Sequence, residues 1–156
     1  MSKLTVVAEP GKQEVILTRE FNAPRELVFK AYTDPVLVAR WWGTSSSTTS
    51  IDNLEARPGG QWRFVERDPE GNEFAFHGVY HDLVAPERIV QTFEYEGMPG
   101  HVLLETVTFE DLGGRTKVVG RSVFQSVEDR DGMVAAGMEF GAEEGNLALD
   151  ELLATL

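Results

Sequence analysis

With no cysteine in the chain, any chemistry must come from carboxylates, histidines, arginines and aromatic rings. That removes thiolate metal sites, cysteine nucleophiles and disulfide scaffolds. Asp52, Glu66 and Glu94 fall in strand-like segments beside Arg63 or Arg121, so an acid–base pair could form inside a cavity. Most strand carboxylates, however, simply face water. His77 and His81 sit four positions apart on one strand face, about 13 Å along it, too far to share a metal ion. They are expected as partly exposed sheet residues or as polar contacts to a ligand head group, and no metal site is expected. His101, after Met98-Pro99-Gly100, reads as a loop residue. The chain shows no G-x-S-x-G elbow, H-E-x-x-H, G-x-G-x-x-G or Walker sequence, so no catalytic residue can be assigned and no cofactor is expected.

The aromatic residues say more. Trp41 and Trp42 are adjacent, and on a helix neighbouring side chains diverge by about 100°, so the two indoles cannot serve one purpose. One can pack inward while the other caps an opening or lies on the surface. Trp62, Phe64, Phe76, Tyr80, Phe93, Val118 and Phe124 take the inward positions of their strands, where they either fill a core or line an apolar pocket. Gly137, Gly141 and Gly145 recur every four residues on the inward face of the last helical segment, beside Met138. Three interior glycines cost a helix roughly 3 kcal/mol relative to alanine. The space they leave is either a close approach of the sheet or the floor of a cavity.

The elements that must position these residues can be read from period and punctuation. Gln13 to Phe21 alternates as a strand. Pro24 then opens a short helix from Arg25 to Tyr32, with Asn22 or Ala23 as its cap. Thr33-Asp34-Pro35 opens a second, Val36 to Trp42, which Gly43 ends. After the hydroxyl run Thr44 to Ser50, read as a mobile loop, six strands follow: Thr48 to Glu55, Gln61 to Arg67, Glu73 to Val84, Arg88 to Glu96, Val102 to Glu110 and Lys117 to Phe124. The turns between them are too short for parallel crossovers, so a curved antiparallel meander is expected. The last thirty residues switch to helical spacing, with Val134, Met138, Gly141, Gly145, Leu149, Leu152 and Leu153 on one face, and read as one long amphipathic helix. Helices grouped on one side of such a sheet make a single α+β domain.

Several motifs now fall in order: Phe21-Asn22-Ala23-Pro24-Arg25-Glu26-Leu27-Val28-Phe29, Tyr32-Thr33-Asp34-Pro35, Ala39-Arg40-Trp41-Trp42-Gly43 and Arg57-Pro58-Gly59-Gly60-Gln61-Trp62-Arg63-Phe64, with Pro86-Glu87-Arg88-Ile89-Val90 and Leu149-Asp150-Glu151-Leu152 later. Together they resemble the START-like (helix-grip, SRPBCC) proteins related to the activator of the heat-shock-protein-90 ATPase. The resemblance covers about residues 13–153 of a single START-like domain, 1–156. It implies a helix-grip fold, in which a curved antiparallel sheet of about seven strands wraps a long C-terminal helix and leaves a cavity, with Trp41 and Trp42 at its mouth. Relatives on this fold include lipid carriers, hormone receptors, polyketide cyclases and co-chaperone domains, so activity does not follow from it. Where relatives often have tryptophan after the glycine matching Gly145, this chain has Asn146, which changes the cavity at that end.

Composition narrows the choice. A net charge of −12 disfavours nucleic acid and anionic lipid surfaces, and nothing approaches the length of a membrane span. The N-terminal residues lack a secretory signal, so cytoplasmic residence is expected. From Val127 to Leu156 eight acids face one arginine, a solvated helix face or a surface for a protein partner. The expected function is non-catalytic binding of a hydrophobic small molecule, such as a lipid, an aromatic or a polyketide-like compound. The expected site is Trp41, Trp42, Trp62, Phe64, Phe76, Tyr80, Phe93, Val118, Phe124, Met138, Gly141 and Gly145. A cyclase, hydratase or hydrolase on the same cavity and a co-chaperone-like partner-binding domain are the alternatives.

Overall fold

The structure is a computed structural model and describes residues 4–156. Its frame is a curved, open antiparallel sheet of eight strands in the order β1-β2-β8-β7-β6-β5-β4-β3. Strands β3 (Thr48–Leu54), β4 (Gln61–Arg67), β5 (Glu73–Val84), β6 (Arg88–Tyr95), β7 (Val102–Asp111) and β8 (Thr116–Val123) form the expected meander, and β2 (Glu14–Phe21) closes onto β8. The added strand is β1 (Thr5–Val7), paired antiparallel with β2 through Val6 opposite Leu17. Three residues are too few to show an alternation, which is why the sequence pointed to seven strands rather than eight.

Between β2 and β3 lie helices α1 (Arg25–Thr33) and α2 (Pro35–Trp41). Pro24 itself, not Asn22 or Ala23, is the residue before α1: its backbone is extended and its carbonyl receives the Leu27 and Val28 N–H groups. Asp34 caps α2 by accepting from Val36 N–H at 2.9 Å and Leu37 N–H at 3.4 Å, one of the strongest signals for a helix start.

The C-terminal segment is two helices, α3 (Val127–Ala135) and α4 (Met138–Leu153), not one. Gly137 stands between them with φ +92°, a left-handed conformation that a side chain would strain. It therefore ends one helix and opens the next, and only Gly141 and Gly145 remain as interior glycines of α4. The penalty falls to roughly 2 kcal/mol. Ser126 caps α3 by accepting from Asp129 N–H. Arg130, nearly fully buried, fixes α3 to the start of β2 and the chain before it by donating to the carbonyls of Glu14 and Glu9.

Helix α4 crosses the concave side of the sheet and touches α1 and α2. Leu149, Leu152 and Leu153 from α4, Val28 and Phe29 from α1 and Val38 from α2 meet Phe21, Trp62, Phe64, Ile89 and Phe109 from the sheet in the main core. A smaller cluster of Val15, Leu103 and Phe124 packs with Met133 and Met138 at the other end. No helix among the described residues is long and apolar enough to cross a membrane.

Candidate functional site

Between these two packed ends the concave face does not meet α4, and a cavity of about 520 Å³ remains. Gly141 shows why: a Cβ built there meets nothing within 4 Å. Gly145 is different, with Trp41 O 3.6 Å and Gly43 O 3.8 Å from the same construction, so α4 approaches the end of α2 there. Of the two readings of the glycines, open space applies at Gly141 and close approach at Gly145. Asn146 follows at the same end and also lines the cavity.

Ten of the expected residues reach this wall: Trp41, Trp42, Phe64, Phe76, Tyr80, Phe93, Val118, Met138, Gly141 and Gly145. Trp62 and Phe124 do not. The Trp62 indole is sealed beneath Phe64 and Phe93, 4.7 and 5.8 Å between ring centres, and donates to Thr92 O at 3.2 Å. Gly78 makes room for it, since a Cβ there would stand 2.6 Å from the indole nitrogen and 1.9 Å from Thr92 O. Phe124 lies one residue beyond β8 and fills the smaller cluster against Val15 and Leu103.

The adjacent tryptophans divide because α2 ends between them, one residue earlier than expected: Trp41 is its last residue and Trp42 is already extended. Trp41 donates its indole N–H to Ala31 O at 2.8 Å and packs on Tyr32, joining α2 to α1. Trp42 turns to the sheet and meets Phe64 and Phe76 edge-on at 5.3 and 5.0 Å. Both border the cavity. The loop after them, expected to be mobile, is tied down: Thr44 N–H donates to Glu66 at 3.0 Å, and Ser45 reaches Glu144 of α4 with its hydroxyl at 2.8 Å. Gly43 permits this turn with φ +101°, and a Cβ there would press to 2.9 Å from the Glu66 carboxylate.

Across the cavity floor runs a row of polar side chains. Tyr80 on β5 is the register partner of Gln91 on β6, Gln91 of Glu105 on β7, and Glu105 of Ser122 on β8. All four line the cavity, with Tyr32 of α1 and Arg19 of β2 beside them. Gln91 donates its amide to one Glu105 oxygen at 3.1 Å and the Ser122 hydroxyl lies 3.4 Å from the other. Glu105 is half-buried and borders the cavity. Burial is the dominant influence on this carboxyl and pushes its pKa up to about 7, while the two hydrogen bonds pull the other way. Burial, then the Glu105 charge, also raises the Tyr32 and Tyr80 hydroxyls. Arg19, buried beside them, is paired with Asp150 of α4 and lies over the Phe21 ring.

The sequence reading missed Glu105, although a signal existed. Leu103, Glu105, Val107 and Phe109 share one face of β7, so an acid interrupts an inward apolar series. Of the carboxylates considered instead, only Glu66 borders the cavity. Asp52 pairs with Arg63 and Glu94 with His77 on the outer face, while Arg121 binds Glu14. His77 lies between Glu94 and Glu96 there, His81 is exposed, and His101 meets Asp129. Among the described residues no group of His, Asp and Glu could hold a metal ion. What the interior can do is enclose an apolar body, hydrogen-bond one polar group and exchange a proton near neutrality.

Comparison with known proteins fits this geometry. A solution structure of a protein from Arthrobacter aurescens superposes with a TM-score of 0.90 at 25% identity, over 97% of this chain and 92% of that one. A crystal structure of a Rhodobacter sphaeroides protein gives 0.90 at 26%, over 99% and 100%. One from Mycobacterium smegmatis gives 0.87 at 22%, over 96% of both, a likeness of fold alone. No curated protein matches the chain. The family model described as Activator of Hsp90 ATPase homolog 1-like protein matches residues 22–154. With the helix-grip architecture and that match over most of its length, the chain belongs to the Activator of Hsp90 ATPase homolog 1-like family.

Proposed function

We propose that the protein binds a hydrophobic small molecule between the sheet and α4, with the guest's polar group on the Tyr80–Gln91–Glu105–Ser122 row. The single observation behind this reading is a cavity of about 520 Å³ with largely apolar and aromatic walls and one polar stripe. That volume is in the range of small-molecule sites, and few convergent polar groups on apolar walls are their usual composition. A packed interior would have no reason to keep an acid that ionises with difficulty.

Glu105 also favours a second reading, an enzyme of the cyclase or hydratase kind, because a carboxyl titrating near 7 is suited to proton transfer at neutral pH. Docking of a protein partner on the acidic outer side of α4 is supported by family membership. Binding comes first because the cavity is the prerequisite of catalysis and has a direct test.

Native mass spectrometry of protein purified from its host should show a bound small molecule, and apolar compounds should raise the melting temperature, as a ligand specific to the folded state must. Gly141→Leu should fill the space where a Cβ meets nothing. Removing a helical glycine is worth about 1 kcal/mol, so the variant should be at least as stable as wild type while losing uptake. Retained uptake in a folded Gly141→Leu protein would overturn the assignment of the cavity as the binding site.

A further inference from the structure

We infer that the guest is a hydrophobic amine whose ammonium group pairs with Glu105. The inference deepens the binding reading above and rests on it.

The charges around the cavity do not balance. Its two cations are already spoken for: Arg19 by Asp150, and Arg121 by Glu14 at 2.9 Å. Its two carboxylates, Glu66 and Glu105, form no ion pair among the described residues. Glu66, near the mouth, is at least met by the Thr44 N–H. Glu105, on the cavity floor, has neutral side-chain partners, the Gln91 amide and the Ser122 hydroxyl. One contact falls on each carboxylate oxygen, which orients the group and leaves each oxygen further acceptor capacity on the cavity wall. A buried carboxylate with no counter-charge is costly, and a cation from outside is the complement that removes the cost.

The walls agree with a cation. Tyr32, Trp42, Phe76, Tyr80 and Phe93 surround the space with ring faces and edges, and a ring face attracts an ammonium group within about 6 Å of its centre. The protein's net charge of −12 also draws cations and repels anions at a distance. A carboxylic acid guest would meet both uncompensated carboxylates. An alcohol could hydrogen-bond Glu105 but would leave its charge unneutralised.

Three probes of nearly equal shape decide the question: naphthylmethylamine, naphthylmethanol and naphthoate, titrated calorimetrically into the full-length protein in buffer alkaline enough to ionise Glu105. The amine should bind about tenfold or more tighter than the alcohol, as one buried ion pair with cation–π contacts allows, and naphthoate weakest. Glu105→Gln keeps the shape of the side chain and should erase the amine's advantage while leaving alcohol affinity within a fewfold. Alcohol binding as tightly as amine to wild type would overturn the inference while leaving the cavity reading intact. Loss of the preference in Glu66→Gln, with Glu105→Gln unchanged, would overturn the assignment to Glu105. Binding of none of the three would remove both readings together.

Discussion

Glu105, on β7, and Glu96, in the turn just after β6, lie within one hairpin, yet they ionise at opposite ends of the carboxylate range. On the outer face, Arg63 and then His77 donate to Glu96 and hold it down at about 2. Over the cavity, burial drives Glu105 to about 7 because no cation answers it. The same side chain thus becomes a permanent charge on one face and a titratable group on the other. The difference lies in what stands beside each: arginine and histidine on the outer face, a neutral amide and hydroxyl among aromatic rings over the cavity. Exposed ion pairs of the Glu96 kind tend to be worth little to the fold, whereas a buried ionisable group without its counter-charge lowers stability.

Substituting Glu105 by Gln should have the largest effect on this contrast. The folded carboxyl keeps its proton up to about 7, against the ordinary 4.5 in the open chain. Its contribution is therefore fully present below about pH 4.5 and is lost as pH rises through about 7. The displacement corresponds to roughly 3 kcal/mol. Melting curves should show Glu105→Gln gaining on wild type above neutrality and the advantage closing toward acid pH; equal slopes with pH would mean that Glu105 is not held protonated.

A smaller effect is expected from Gln91→Leu, which deletes the stronger of the two downward pulls on Glu105. The Glu105 titration, followed by NMR of its carboxyl carbon, should move higher still, and stability should fall by about 1–2 kcal/mol for the lost hydrogen bond. Any movement downward would mean that the amide does not act as a donor to this carboxylate.

Arg63→Ala should act least on the fold and only on the outer face. Glu96 has a depressed folded pKa, so what it contributes is present above about 4.5 and lost as pH falls through about 2. The variant should release Glu96 upward toward the ordinary range, with no resolvable change in melting temperature at neutral pH. Glu105 should titrate as before. If it shifts, the two faces are electrically coupled through the sheet and the contrast drawn above is too simple.

Much of the architecture was legible because it is written locally. The Asp34 cap, the proline-glycine turns and the alternation of β3 to β8 each sit within a few residues of what they specify. The site was less legible because it is written across strands. Tyr80 reads as an inward ring and Glu105 as an acid in an apolar series, but their alignment with Gln91 and Ser122 exists only in the pairing register, which includes a slip between Tyr80 and Asp82 that no short-range pattern announces. Gly137 was misplaced for a related reason: its spacing from Gly141 and Gly145 is helical, but its backbone is left-handed. Trp62 and Trp42 could not be told apart by type or face, since only tertiary packing decides which ring is covered and which borders a void.

The floor row is assembled from single side chains lent by four neighbouring strands, while the strands themselves are joined by main-chain bonds that do not depend on side-chain identity. Its chemistry can therefore be rewritten one position at a time, like swapping one key on a ring, with the scaffold unmoved. A family built this way can diversify the chemistry of its cavity wall faster than its shape.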